Sequence, residues 1–394
     1  MIYLNNAATS YPKPQCVIDS VNRCINRVPV DSKRSAFDTG EKDIVTSCRE
    51  KLSTLFNVSN INEISFSSGA THSANIVTRG LDLANAHVIT TVTEHSSVLR
   101  ALKVEERERN VKLSIVGCDK DGFVSVDDIR REINNETKAI FINHSSNVLG
   151  TEADLYAISE LAHDENLILV VDASQSAGVI PLDIKSLDLD VVVFTGHKSL
   201  YGISGIGGLY TKGDLYIKPL IVGGTGVKST SLYQTEDRPV YFEAGTQNSV
   251  GIASLEAGVS FVLENGIDKL NENKSKLFYK IIDEFSKIPE IIIYGNKEYY
   301  TPIISFNIDK IDPKEVGYYL GKKYEIAVRT GILCAPLIHE YINSNPLGTV
   351  RVSLSYFTTD KEVNYFIEAV KEIVSISKKD KKELQFDKSN LSCV

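Results

Sequence analysis

From residue 63 to residue 202 the chain repeats one pattern: a short apolar run, a turn of small polar residues, then a stretch with helical spacing. "EISFSSGATHSANIVTRGL" reads as strand, turn and helix, and so does "AHVITTVTEHSSVLRALKVEERER". "KAIFINHSSNVLGT" is a strand and loop followed by the helix "DLYAISELAHDEN", and "LILVVDASQSAG" and "LDVVVFTGHKSLYG" repeat the strand–loop unit. Strands that are apolar throughout and separated by helices predict a mostly parallel sheet covered on both faces, an α/β fold. In such sheets ligands bind beyond the carboxyl ends of the strands. Thr71, His95, Asn147, Asp172, Gln175, His197 and Lys198 all fall there.

After about residue 250 the character changes. "GIASLEAGVSFVLENG" reads as a long linking helix, "TPIISFNID", "IAVRTGILC" and "GTVRVSLSYF" as strands of a second sheet, and "KEVNYFIEAVKEIV" as a helix. The expected organisation is a large domain over 15–255, a smaller α+β domain from 1–14 and 256–380, and a mobile tail over 381–394. With 394 residues the chain is long enough for two cores. Its net charge of −8 without basic runs argues against a nucleic-acid surface. No stretch has the ~18–20 apolar residues that a bilayer span needs, and "MIYLNNAATSYPKP" lacks the basic start and apolar core of a secretory leader. Six scattered cysteines without a CxxC pair suit a reducing cytoplasm and no metal site.

Lys198 in "FTGHKSLYG" follows a buried strand, where a loop lysine is either solvated or joined as an imine to an aldehyde cofactor. Asp172 either caps a turn or pairs with a protonated pyridine nitrogen, keeping that ring an electron sink. Gln175 is placed to hydrogen-bond a ring hydroxyl. His95 is either structural or a ring-stacking proton carrier. "SSGATHSAN" offers small residues and a helix start near Thr71 for a phosphate, with Thr195 and His197 as added donors. "GISGIGGLY" does not match GxGxxG, "GGTGVKS" lacks the Gly-Lys of a P-loop, and "HEYIN" is not HExxH. Cys334 lies between Arg329 and His339 in a segment that reads as exposed, a setting that favours thiolate. Arg351 in "GTVRVSLSYF" has the geometry to fork onto a carboxylate.

These motifs, in this order, resemble the class V aminotransferase-like enzymes of pyridoxal phosphate fold type I. "LNNAATSYPKP", "FEAGTQN" and "VRTGILCAP" narrow the resemblance to the cysteine desulfurase and selenocysteine lyase branch, and the short "RTGILC" loop is similar to the SUF-type group. It covers about residues 1 to 375. The resemblance implies pyridoxal 5'-phosphate, with Lys198 holding it and moving the Cα proton and Asp172 on the pyridine nitrogen. Gln175 would bind the ring oxygen and His95 would stack on the ring. Ala70, Thr71, Thr195 and His197 would hold the phosphate, and Thr246 that of the partner subunit in a homodimer. Asn6, Asn147 and Arg351 would bind the substrate carboxylate, and Cys334 would accept sulfur.

The implied reaction is L-cysteine to L-alanine, leaving a persulfide on Cys334 for an unidentified acceptor protein. Selenocysteine lyase, another class V lyase or epimerase, and a cofactor-binding scaffold are the alternatives. "DSKRSAFDTG" departs from the "HRGxH"-like stretch common in the family, which leaves Arg34 without an assigned role. Cys393, second from the end, is either incidental or a relay thiol.

Overall fold

The structure is a computed structural model that describes residues 1–27 and 43–379; Arg34 and Cys393 lie outside the described residues. The chain begins with β1 (Ile2–Tyr3), α1 (Gln15–Asn26) and α2 (Ile44–Phe56). The central run is β2 (Ile64–Ser67), α3 (Ala70–Gly80), β3 (His87–Thr91), α4 (Ser96–Arg109), β4 (Lys112–Val116) and α5 (Val126–Glu132). It continues through β5 (Thr137–Asn143), α6 (Leu155–Asp164), β6 (Ile168–Asp172), β7 (Val191–Thr195) and β8 (Gly207–Thr211). Two long helices follow, α7 (Ser249–Asn265) and α8 (Ile267–Ser286). The C-terminal part holds β9 (Ile291–Tyr294), β10 (Ile303–Ile308), α9 (Pro313–Tyr324), β11 (Ile326–Ala327), β12 (Arg329–Gly331), α10 (Ile338–Tyr341), β13 (Thr349–Ser353) and α11 (Asp360–Lys379).

The large sheet has seven strands in the order β2-β8-β7-β6-β5-β3-β4. Neighbours from β7 to β4 are parallel, and β8 runs antiparallel to both β7 and β2. β7 is "VVVFT" and buried at every position. Side chains alternate faces along a strand, so such a run requires cover on both sides. One side holds Phe56, Phe194, Ile142 and Val171; the other holds Val88, Phe141, Val170 and Val193. The mostly parallel α/β sheet is therefore as the sequence pattern requires.

The direction of β8 was not legible, because its "GGLYT" is preceded by the glycine turn "GISGIG" rather than by a helix. Gly207 starts the strand for a steric reason. A Cβ there would lie 2.6 Å from the Phe194 carbonyl oxygen and 2.7 Å from the Gly69 Cα.

The second sheet, β12-β13-β10-β9, is antiparallel throughout. It packs on α8 and α11 through Phe285, Phe306 and Phe366, with ring centroids 4.9 to 6.2 Å apart. β1 pairs in parallel with β11, and Asn5 bridges to Ser353 of β13. The N-terminal strand is thereby tied to the C-terminal part of the chain. The apolar linking helix breaks at Gly266, whose φ of 79° lies in the left-handed region, and the axis turns by 82° into α8. No single helix among the described residues is long and apolar enough to cross a membrane.

Candidate active site

A cavity of about 420 Å³ opens at the carboxyl ends of β2, β5, β6 and β7 and is closed from the other side by the Leu333–Cys334 loop and Arg351 of β13. That volume falls within the range of small-molecule sites, roughly 300–1,000 Å³. Ala70, Thr71, His95, Asn147, Asp172, Gln175, Thr195, His197, Lys198, Cys334 and Arg351 all line it.

Lys198 follows β7 in a loop held by the N-terminal segment. The backbone carbonyl of the preceding His197 accepts from Ser10 N (3.1 Å), Ser10 Oγ (3.1 Å), Thr9 Oγ1 (3.1 Å) and Lys13 Nζ (2.9 Å). The loop is thus fixed from a distance of nearly two hundred residues. Burial pulls the Lys198 amine down to about 8, partly opposed by the nearby Asp172 carboxylate and reinforced by Arg351. About a tenth is therefore uncharged and nucleophilic at pH 7, against less than one part in a thousand for an ordinary lysine.

Asp172 ends β6, with Oδ1 accepting from Ser174 N at 2.8 Å. Gln175 donates its amide to the Ala7 carbonyl at 3.0 Å. His95 precedes the first turn of α4. Its Nδ1 accepts from Ser97 N at 3.1 Å and lies 2.9 Å from Ser97 Oγ. A backbone N–H donor fixes Nδ1 as an acceptor, so the ring carries its proton on Nε2. Burial, then Lys198, holds its pKa below the ordinary histidine value.

The start of α3 supplies the anion end. Gly69 precedes it at φ 145°, a conformation reserved in practice for glycine. The first N–H groups, at Ala70, Thr71 and His72, have no preceding turn to bond to. His197 Nδ1 is buried without a hydrogen-bond partner, and burial together with Lys198 pulls that ring down to about 4.

Arg351 is 4 % exposed and, among the described residues, has no carboxylate in ion-pair range. Its Nη1 donates to the Asn147 carbonyl at 2.9 Å and Nη2 to Asn5 Oδ1 at 3.0 Å, while Nε is buried and unpaired. A buried guanidinium without a counter-ion is costly unless a ligand supplies one. Burial pulls even this group down to about 10.

Leu333 and Cys334 adopt φ of 54° and 60°, two successive non-glycine residues in the left-handed region. Such residues cost about 1–3 kcal/mol each and persist where the surroundings over-determine them. Here the Asn147 amide donates to the Leu333 carbonyl at 2.6 Å, and Ser96 N donates to the Cys334 carbonyl at 2.8 Å. The thiol is exposed at the cavity mouth.

Two expected site residues stand apart from the cavity walls. Asn6 is buried beside it, with Nδ2 donating to the Ser353 carbonyl at 2.9 Å and Oδ1 accepting from Tyr11 N at 3.0 Å, so both ends of its amide hold the N-terminal segment. The neighbouring Asn5 is the one that touches Arg351, a parity the two-residue strand before it is too short to reveal. Thr246 is exposed on the segment joined to Gly224 by the Gly245 N–H, at 2.8 Å.

His339 does not face Cys334. It is fully buried, its ring bonded to Ser344 Oγ at 2.7 Å and the Ile332 carbonyl at 3.0 Å. Arg329 does line the cavity. Glu94, the residue before His95, carries no sequence signal of its own. Its carboxyl is buried without a side-chain partner, and burial, then Asp172, raises its pKa well above the usual carboxylate value.

A loop lysine at the carboxyl end of a parallel strand, beside a buried aspartate and a helix start, marks the ligand site of an α/β enzyme. The chain belongs to the class-V aminotransferase family, whose pattern it matches over residues 2–366. It is 31 % identical over 384 residues to a probable cysteine desulfurase of Methanothermobacter thermautotrophicus, covering 95 % of each chain. Among solved structures it is similar to an apo cysteine desulfurase from Thermococcus onnurineus, with TM-score 0.88, 28 % identity and coverage of 95 % and 94 %. It is also similar to an Escherichia coli cysteine desulfurase in an S-sulfonic acid form, with TM-score 0.86, 25 % identity and the same coverage.

Proposed function

We propose that this chain is a pyridoxal 5'-phosphate-dependent cysteine desulfurase that converts L-cysteine to L-alanine and keeps the sulfur as a persulfide on Cys334. The observation that carries the reading is the meeting of three groups around one cavity: the Lys198 amine, the Arg351 guanidinium that lacks a counter-ion, and the exposed Cys334 thiol.

The residues fit the cofactor. Ala70, Thr71, Thr195 and His197 offer donors for its phosphate, including the unpaired His197 Nδ1. Asp172 suits its ring nitrogen, Gln175 its ring oxygen, and the uncharged His95 ring its face. When bound, the cofactor supplies an aldehyde carbon for amines and a cationic ring that withdraws electrons from the substrate.

The chain's own residues do the rest. Arg351 receives the substrate carboxylate through its free Nε edge, with Asn5 and the Asn147 carbonyl fixing its plane. The Asn147 amide holds the loop through the Leu333 carbonyl, and its second N–H remains for the substrate carboxylate beside Arg351. Lys198, uncharged above about pH 8, takes the Cα proton and returns one later. Cys334 thiolate attacks substrate Sγ, a sulfur–sulfur bond forms as the Cβ–Sγ bond breaks, and the bonding pair stays with the carbon that is protonated to give alanine. The balance is cysteine plus enzyme thiol to alanine plus enzyme persulfide, with no outside oxidant.

A homodimer is supported by an apolar surface on the segment before Thr246. Tyr216, Ile221, Val222, Leu232 and Tyr233 are exposed there, Leu232 by 98 %. Isolated exposed apolar residues are ordinary, but five within one short stretch of chain suit an interface. All described cysteines are free, which supports a reducing, cytoplasmic setting. Mass analysis of peptides from cysteine-treated protein tests the function: one added sulfur atom on the Cys334 peptide is expected, and alanine formed without it would favour a lyase that releases sulfur directly.

A further inference from the structure

α8 presents an apolar stripe of Leu270, Leu277, Phe278, Ile281, Ile282 and Phe285 to the core, and Lys274 occupies one position of that same stripe. The lysine is 2 % exposed. Long cationic side chains ordinarily reach water with the charged end. This one is almost wholly buried, and no hydrogen bond or ion pair to a described residue engages it. It lines a cavity of about 20 Å³ between the two sheets, together with Asn6, Ser10, Gln175, Ser199 and Ser355. No carboxylate is among the lining residues. The other titratable group there is Tyr201, whose hydroxyl burial pushes up out of the physiological range; Tyr299, close to Tyr201, is pushed up likewise.

A cavity of this size admits one water-sized particle, for which about 10–15 Å³ is the lower limit. Its walls offer the Ser199 and Ser355 hydroxyls and one ammonium, and no acid. Lys274 disfavours a cation, and the small space left for a water-sized particle favours a monatomic anion over a polyatomic oxyanion. We propose that this cavity is a binding site for a small halide-class anion, chloride in practice, held by Lys274 and the surrounding hydroxyls. Gln175 and Ala7 line both this cavity and the catalytic one, so the anion occupies the far side of a shared wall. The site is independent of whether the substrate is cysteine.

The physical case is linkage. Burial alone pulls Lys274 down to about 7, with no opposing carboxylate. The unfolded chain holds that proton up to about 10.4. Between these values the unfolded state binds more protons, so stability rises with pH across that window. An anion beside Lys274 favours the ammonium, raises its pKa and flattens that rise.

The test uses the cofactor-loaded protein in sodium chloride and in sodium gluconate of equal ionic strength, at about pH 6 and about pH 8.5, on either side of the Lys274 titration. At chloride about five times the dissociation constant, the melting midpoint should rise by about 1–2 °C at the lower pH and less at the higher. Lys274→Met, close in volume, should remove the chloride effect. Crystals of the unaltered protein soaked in bromide should show anomalous density beside Lys274 Nζ, a readout that stands even if the variant folds poorly. Equal midpoints in the two salts, an effect that survives Lys274→Met, or a bromide-free cavity would each overturn the proposal. Bromide density without a chloride-dependent midpoint would mean an adventitious ion only, and would overturn it too.

Discussion

The Asn147 side-chain amide donates to the Leu333 carbonyl at 2.6 Å, joining the loop after β5 to the loop after β12 across 186 residues of sequence. The same asparagine's backbone carbonyl takes a bond from Arg351. One residue therefore positions both the loop that carries the thiol and the group proposed to bind substrate. Asn147→Ala removes only the first of these bonds. Leu333 and Cys334 then have one fewer constraint on two left-handed residues. Persulfide formation is expected to slow by roughly 10- to 100-fold, the scale of a misplacement of about 1 Å, and the KM for cysteine to rise with the loss of the second N–H. Single-turnover alanine formation measures this, and an unchanged rate would remove Asn147 from the positioning role.

The Lys198 amine makes a sharper test, because its neighbours push in opposite directions. Asp172 raises its pKa and Arg351 lowers it, against a dominant lowering by burial. Uptake of pyridoxal phosphate by the apoprotein needs the uncharged amine, so its rate should climb as pH rises through about 8. Asp172→Asn should move that climb to lower pH, and Arg351→Met should move it to higher pH. Stopped-flow absorbance over a pH series reads both. Shifts of the same sign in the two variants would contradict the arrangement.

Arg351→Lys keeps the charge and loses the fork. An ammonium cannot reach Asn5, the Asn147 carbonyl and a substrate carboxylate in one plane. KM for cysteine is expected to rise on the order of 10- to 100-fold, the loss of a charge-assisted hydrogen bond of about 1.5–3 kcal/mol. The absorbance of bound cofactor should be retained. Steady-state kinetics with the spectrum as control separates the two, and an unchanged KM would leave Arg351 without its proposed ligand.

Much of this was legible in the sequence, for physical reasons specific to each element. β5, β6 and β7 are buried on both faces and so read as unbroken apolar runs, which placed Asp172 and Lys198 at their ends. Gly69 was legible as part of a tight turn before a helix. Contacts that depend on three dimensions were not. A lysine on an amphipathic helix looks solvated, and only the packing of α8 shows that Lys274 faces inward. His339 looked like a partner for Cys334 at five residues' distance, yet its ring turns into the core. Asn5 and Asn6 are indistinguishable until the bridge to Ser353 sets which one points at Arg351.

Arg49 and Glu243, 194 residues apart, form the other relationship that no local pattern announces. Arg49 Nη2 lies 2.5 Å from the carboxylate, and both side chains are buried. Arg49 Nε also donates to the Ile64 carbonyl at 3.1 Å, and Phe66 N donates to Glu243 Oε1 at 2.6 Å. The pair thus bonds two backbone groups of β2, the edge strand of the large sheet, and so blunts that edge against pairing with another chain. It also anchors the segment that leads to Thr246, since Gln247 Nε2 donates to the same carboxylate at 2.5 Å. Glu243→Ala leaves a buried guanidinium unpaired, a loss of about 3–5 kcal/mol for a broken buried pair. Chemical denaturation should show that loss as a lower midpoint. The freed edge should also make the variant more prone to aggregate than a control variant destabilised to the same extent elsewhere. Arg49→Met with Glu243→Leu removes both charges together, so it should recover most of the stability while leaving the β2 edge unpaired. A double variant no more stable than Glu243→Ala would show that the backbone bonds, and not the charge, carry the effect.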